Sequence, residues 1–196
     1  MASRSQQKGM GPGPRAIFVA LLRGVNVGGA KKVPMAELRK LLAGLGYTDV
    51  ATLLNSGNAV FRAAGSPARL AATIAGEIAA KMDVEVPVVV KSARELSAIV
   101  SENPIPVAEA DQARLLVAFA PDAAALSTLR PVGSLVVPPE QFALGAHAAY
   151  FYGPFGSLKS EAGKALLGRA GRAATTRSWK TVLKLQELAD SIGGRR

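Results

Sequence analysis

Arg23 opens a loop, Arg23-Gly24-Val25-Asn26-Val27-Gly28-Gly29, whose residue types suit the capture of an anion. Glycine lets backbone N–H groups turn into a common concavity, arginine supplies a planar and permanently charged fork, and asparagine supplies amide donors. A second cluster of similar character is Asn55-Ser56-Gly57-Asn58. A third begins the last helical stretch: Arg177, Lys180 and Lys184 recur at i, i+3 and i+7, on a different stripe from Trp179, Val182, Leu185 or Leu188, and Ile192. Arg177, Trp179 and Lys180 therefore join the two loops as candidate ligand-binding residues. Each has a plainer role too. The glycines and asparagines make turns, Trp179 anchors a core, and the lysines form a solvated face. The spacing Gly24…Gly28-Gly29 fits neither the dinucleotide fingerprint nor the phosphate-binding P-loop.

Other chemistry is thinly supplied. The chain has no cysteine, which removes disulfides, thiolate metal sites and thiol nucleophiles. His147 is its only histidine, and a single chain cannot build a histidine pair or a histidine-based zinc site from it. Ser56 and Ser157 have no adjacent general base, and Glu37, Asp49, Glu85, Glu95 and Asp122 are scattered singly. No metal or cofactor is expected, and these residues name no catalytic group.

The net charge of +10 is unevenly placed. Residues 1–15 carry +3 with no acid, and residues 157–196 carry +6, whereas the body between them is nearly neutral at +1. Clustered positive charge raises the local concentration of phosphate-bearing partners, though it also simply aids solubility. No apolar run reaches the ~20 residues that span a bilayer, so no membrane is expected, and the start of the chain lacks the apolar centre of a secretory signal. Residues 1–15 read as a disordered basic arm and the protein as cytoplasmic.

The elements that must position these residues follow from periodicity. Ala16 to Leu22 is a continuous apolar run, a buried strand. Leu38, Leu41, Leu42 and Leu45 mark one helix face after Pro34, with Gly46 as the stop. Val50 to Leu54 and Ala59 to Arg62 read as strands joined by the Asn55–Asn58 turn. A helix follows over Pro67 to Lys81, then a strand over Val84 to Lys91 that Pro87 places at an edge. Ser92 and Glu95 form a capping-box pattern at the head of a helix ending near Val100. Asn103-Pro104-Ile105-Pro106 is a linker. Beyond it come a strand (Arg114 to Ala120), a helix (Asp122 to Leu129) and a strand (Ser134 to Val137, continuing through Gln141 to Leu144). A strand (Ala148 to Tyr152), a helix (Leu158 to Arg169), a short strand (Gly171 to Thr175) and a final helix (Trp179 to Ile192) complete the order. Each half reads strand, helix, strand, strand, helix, strand.

The fold class is thus α+β, two tandem ferredoxin-like (βαββαβ) units over residues 16–102 and 103–196, the second carrying a C-terminal helix. In such a unit the first and second strands run parallel, so the loop after the first and the hairpin after the second share one end of the sheet. Arg23 to Gly29 and Asn55 to Asn58 are expected to meet there.

The stretch Leu21 to Gly29 (LLRGVNVGG) resembles a bacterial family known as domain of unknown function 1697. The likeness continues in Val33 to Arg39, in Asn55 to Phe61, in Asn103-Pro104 and in Thr175 to Val182. Two positions depart from it: Ser178 stands where the family commonly has asparagine, and Ile105 where it has phenylalanine. The resemblance implies a tandem ferredoxin-like fold and a cytoplasmic setting, and no activity. The residues themselves point to a binder of a phosphate-bearing ligand, a nucleotide or other small molecule or RNA, at the edge formed by the first two loops. One alternative is a small hydrolase of acyl-phosphate or phosphorylated substrates. Acylphosphatase is similar at fold level and pairs a loop arginine with a water-orienting asparagine, roles open to Arg23 with Asn55 or Asn58. The other alternative is a protein-interaction module docking through the last helix. Oligomeric state is not fixed by any of these residues.

Overall fold

The structure is a computed structural model and describes residues 15–27 and 31–194. The basic arm over 1–15 falls outside it apart from Arg15, as do Gly28 and Gly29 of the first loop.

The first unit comprises β1 (Ala16–Leu22), α1 (Met35–Gly44), β2 (Thr48–Leu53), β3 (Asn58–Ala63), α2 (Pro67–Met82) and β4 (Val88–Ser92). Its sheet is antiparallel with order β2-β3-β1-β4. A capping box at Ser92 and Glu95 leads β4 directly into α3 (Ala93–Glu102). The second unit repeats the plan with β5 (Leu115–Phe119), α4 (Ala123–Ser127), β6 (Gln141–Leu144), β7 (Ala149–Tyr152), α5 (Glu161–Leu167) and β8 (Thr175–Ser178), in the matching order β6-β7-β5-β8. β8 runs straight into α6 (Trp179–Gly194). The chain is therefore α+β with two tandem βαββαβ-like units and a C-terminal helix. No helix among the described residues is long and apolar enough to cross a membrane.

Strand alternation explains the layering. In β1, Phe18, Ala20 and Leu22 face α1 and α2, where Leu38, Leu41, Leu42, Leu70, Ile74 and Ile78 complete one cluster. Val19 and Leu21 face the other way, into a central cluster shared with Leu115, Val117 and Phe119 of β5. Leu96 and Ile99 of α3 and Val182, Leu185 and Ile192 of α6 fill that centre. A third cluster lies under α4 and α5. The bare faces of both sheets thus bury one another's apolar surface, together with α3 and α6, which is the main force joining the units.

Four expected elements differ from the structure. Ser134 to Val137 is not a strand: Arg130–Leu135 forms a 3₁₀ turn, begun by Pro131 and tightened by the Ser134 hydroxyl donating to the Pro131 carbonyl (2.8 Å). Pro138 and Pro139 then lack the N–H groups a strand needs, so pairing starts only at Gln141. The helix expected over Leu158 to Arg169 is split. Ser157–Lys159 is a 3₁₀ turn, and Ser160 caps α5 by accepting from Gly163 N–H at 3.0 Å. The last strand is Thr175–Ser178 rather than Gly171 to Thr175, because residues 168–174 fold back on α5 through Ala170 N–H and Gly171 N–H to Ala165 O, with Ala174 N–H closing the turn on Gly171 O. In the first unit, β4 starts at Val88, after Pro87, and lies at the sheet edge.

One polar tie holds α3 to the second sheet. The Glu102 carboxylate accepts from the backbone N–H groups of Ala146 (3.1 Å), His147 (3.0 Å) and Ala148 (3.1 Å). The fully buried Tyr150 hydroxyl shares its hydrogen between Ile99 O (2.6 Å) and Glu102 (2.9 Å). Burial first, and the adjoining carboxylate second, hold the Tyr150 phenol above its ordinary pKa. The native state therefore keeps this proton where the unfolded chain releases it. Stability from Tyr150 is complete below about pH 10 and falls as pH rises further, by about 1.4 kcal/mol per unit. Urea titrations of the protein and of Tyr150→Phe at pH 9 and 11 are expected to show a steeper alkaline loss in the former. Equal losses would contradict the assignment.

Candidate functional site

The loop after β1 and the β2–β3 hairpin meet at one end of the first sheet, through contacts that begin in the backbone. Leu22 N–H donates to Gly57 O at 2.8 Å. Gly57 has φ 75°, and a Cβ there would stand 2.6 Å from Leu22 Cβ, so only glycine permits this approach. Asn26 also takes a left-handed conformation (φ 58°) and ties the loop together. Its amide donates to Val33 O (2.9 Å) and Asn55 O (2.7 Å), and its Oδ1 accepts from Val33 N–H (2.9 Å). The turn it makes tucks Val25 into the core and leaves Val27 70% exposed.

The second unit brings a further wall. β8 is an edge strand, and its neighbour across the gap is the end of β1. Between them lies a cleft of about 500 Å³. Leu22, Val25, Val27, Leu166, Leu167 and Ala174 supply its apolar lining, and Ser56, Thr175, Thr176, Ser178 and Thr181 supply hydroxyls. Arg23 and Arg177 both line it.

The two arginines cross the gap in opposite directions. Arg177, on β8 and 8% exposed, donates from Nε to Asn58 Oδ1, from Nη1 to Thr175 Oγ1 and Thr176 O (both 2.8 Å), and from Nη2 to Leu22 O (2.6 Å), Ser56 O (3.0 Å) and Gly57 O (3.4 Å). All five of its N–H groups are committed. Arg23, on the first loop and half-buried, reaches the turn after α5. There Nη1 donates to Gly171 O and Arg172 O, and Nη2 to Leu167 O at 3.5 Å. Its Nε–H has no protein acceptor among the described residues. The ion pairs among the described residues involve neither arginine. Desolvation pulls the Arg177 pKa down to about 10. Desolvation, and then the charge of Arg172, lower that of Arg23.

The sequence candidates divide accordingly. Arg23, Gly24, Ser56 and Arg177 border the cleft. Gly57 and the fully buried Asn58 stand behind it; the Asn58 amide is held by Leu53 O (3.0 Å) and Ser56 Oγ (2.9 Å). Asn26 and Asn55 brace the loops without lining the cleft. Trp179 is half-buried against the central cluster, and Lys180 lines a separate depression with Glu109, Ala110 and Ala113. Gly28 and Gly29 lie outside the described residues. Thr175, Thr176 and Thr181 were not singled out as binding residues from the sequence. The alternation Thr175-Thr176-Arg177-Ser178 was their signal, readable once that segment is assigned as an edge strand. No group of three or more His, Asp or Glu side chains among the described residues is placed to hold a metal ion. Of the two departures from the family pattern, Ile105 is buried in the central cluster, and Ser178 sits 3.0 Å from the Thr181 hydroxyl.

A solved structure of similar shape is the conserved bacterial protein SP0830 from Streptococcus pneumoniae, at 27% identity and a TM-score of 0.76, covering 90% of this chain and 99% of that one. Among curated proteins, none matches the chain. The model of a family described as "Protein of unknown function (DUF1697)" matches residues 16–150, well over half of the sequence, and to that family the chain belongs.

Proposed function

We propose that the cleft between β8 and the β1–α1 loop binds a small phosphate-bearing molecule, at the junction of the units inferred over 16–102 and 103–196. The observation that carries this reading is the pair of arginine charges, Arg23 and Arg177, lining one cleft with no carboxylate partner among the described residues. Carbonyl oxygens satisfy their hydrogen bonds but leave two net charges partly out of water, and an anion between them relieves that cost. Arg177 acts as a fixed charge. Arg23 keeps its Nε–H for the ligand, and the neighbouring hydroxyls add donors. A volume of about 500 Å³ suits a small molecule. The hydrolase alternative lacks a water-orienting amide at this cleft, since that of Asn58 is bound to the protein itself and Asn55 does not line it. A cysteine-free chain suits a reducing compartment, and we place this binding in the cytoplasm.

The test is titration calorimetry with inorganic phosphate. Saturable binding is expected, weakening as sodium chloride is raised. Arg23→Gln is expected to bind at least about tenfold less tightly, with an unchanged circular dichroism spectrum, because a charge-assisted bond is lost. Absence of saturable binding of phosphate and of every phosphate ester tried, or a folded Arg23→Gln variant that binds like the parent, would refute the reading.

A further inference from the structure

The two walls of the cleft differ in chemistry, and the difference selects a class of ligand. On the β8 side, Thr176, Ser178 and Thr181 present hydroxyls close to Arg177. Val27 on the loop, and Leu167 at the end of α5, present branched aliphatic groups. Val27 is the telling residue. Asn26 fixes the turn so that one valine of Val25-Asn26-Val27 enters the core and the other stands at the cleft, 70% exposed. An aliphatic side chain held out of the core by a three-bond asparagine brace gains contact there only when something apolar covers it. Arg23 lies at the base of this loop, its Nε–H without an acceptor among the described residues.

Building on the phosphate-binding reading above, we infer that the ligand is a phosphate monoester of an aliphatic alcohol. Its phosphoryl group sits between Arg23 and the hydroxyls of β8 and α6, and its hydrocarbon body lies along Val27 and Leu167. The lining matches a nucleotide less well. A nucleobase is recognised by stacking on an aromatic ring and by acceptors for its amino groups, and the groups that line this cleft are aliphatic, hydroxyl and guanidinium. Trp179, the ring nearest in sequence, packs on the central cluster instead.

The experiment compares n-butyl phosphate, adenosine monophosphate, a short single-stranded RNA and inorganic phosphate by calorimetry on the full chain. Butyl phosphate is expected to bind about tenfold more tightly than inorganic phosphate, the gain expected for burying part of a four-carbon chain. Adenosine monophosphate is expected to gain nothing over inorganic phosphate. In Val27→Ser the butyl advantage is expected to shrink to about twofold or less, while inorganic phosphate binds as before. Val27 is exposed, so this variant folds like the parent, and a thermal melt verifies it. Tighter binding of adenosine monophosphate or RNA than of butyl phosphate would overturn the ligand class and leave the phosphate site standing. Equal affinity for butyl and inorganic phosphate, or an undiminished advantage in Val27→Ser, would overturn the hydrocarbon wall. Failure of all four to bind would remove the phosphate-binding reading itself, and this inference with it.

Discussion

Arg177→Ala is expected to lower the free energy of unfolding by about 3 kcal/mol, because it strands several buried hydrogen-bond acceptors while relieving the burial of one charge. The guanidinium bonds Leu22 O, Ser56 O, Gly57 O and the Asn58 side chain in the first unit while bonding Thr175 and Thr176 in its own strand. Alanine leaves Asn58 Oδ1 and Ser56 O facing a void, while Gly57 O keeps the Leu22 N–H. Each buried polar group so stranded costs about 1–3 kcal/mol, offset in part by water entering from the cleft. The fully buried Asn58 suffers most, because no other donor to its Oδ1 is present among the described residues. Lysine offers one nitrogen where the fork offers three, so Arg177→Lys is expected to recover only a minor part. Circular dichroism followed through a urea titration gives the number. A loss below about 1 kcal/mol, the worth of an ordinary exposed contact, would show that the clasp is not what joins the loops. At high pH the effect has a sign of its own. The folded pKa near 10 lies below the free value of 12.5, so in that interval the unfolded chain binds the extra proton. Rising pH through it relieves the burial cost of the charge, opposite to the Tyr150 contribution.

The sequence carried the architecture wherever periodicity and punctuation agreed. β1 is found at Ala16–Leu22, as its continuous apolar run required, and the capping box at Ser92 and Glu95 is present with both of its bonds. Pro87 marked an edge strand correctly, since a residue without N–H fits only where the ladder ends. The meeting of the Arg23 loop with the Asn55–Asn58 hairpin followed from strand direction alone and is seen in the Asn26 to Asn55 bond. The misplaced elements have separate causes, one tertiary and one local. Gly171 to Ala174 has the small-residue look of a strand start, but its N–H and C=O groups are consumed by α5 and by Arg23. Val136 and Val137 look like strand residues, but two prolines follow them. The site was legible as a set of residue types and not as a cleft. That Arg177 reaches across to Leu22, and Arg23 to the turn after α5, depends on how two sheets dock, and local spacing does not encode docking. Lys180 shows the cost of running a helical stripe across a strand boundary: Arg177 lies on β8, α6 begins only at Trp179, and Lys180 opens onto a different depression.

Gly171→Ala is expected to be the most damaging of the small-residue substitutions at the site, and its effect should appear in two separable measurements. A Cβ at this position would fall 1.7 Å from Leu166 O and 2.9 Å from Leu166 C, both backbone atoms of α5. No rotamer change relieves a clash with a helix carbonyl, so the turn over 168–174 must move. Forced overpacking of this kind costs about 3 kcal/mol. Gly24→Ala is the control: a Cβ there meets nothing within 4 Å, and its φ of 66° sets the cost, about 1 kcal/mol, through backbone strain alone. The second measurement concerns Arg23, which donates to the carbonyls of Gly171 and Arg172. If the turn is displaced, the guanidinium loses the carbonyls that hold it beside the cleft. Phosphate affinity should then fall with stability in Gly171→Ala, whereas the small stability cost of Gly24→Ala comes from backbone strain alone. A Gly171→Ala protein as stable as Gly24→Ala and unimpaired in phosphate binding would mean that the turn yields freely and that Arg23 does not depend on it. The arrangement of the cleft would then rest on Arg177 alone.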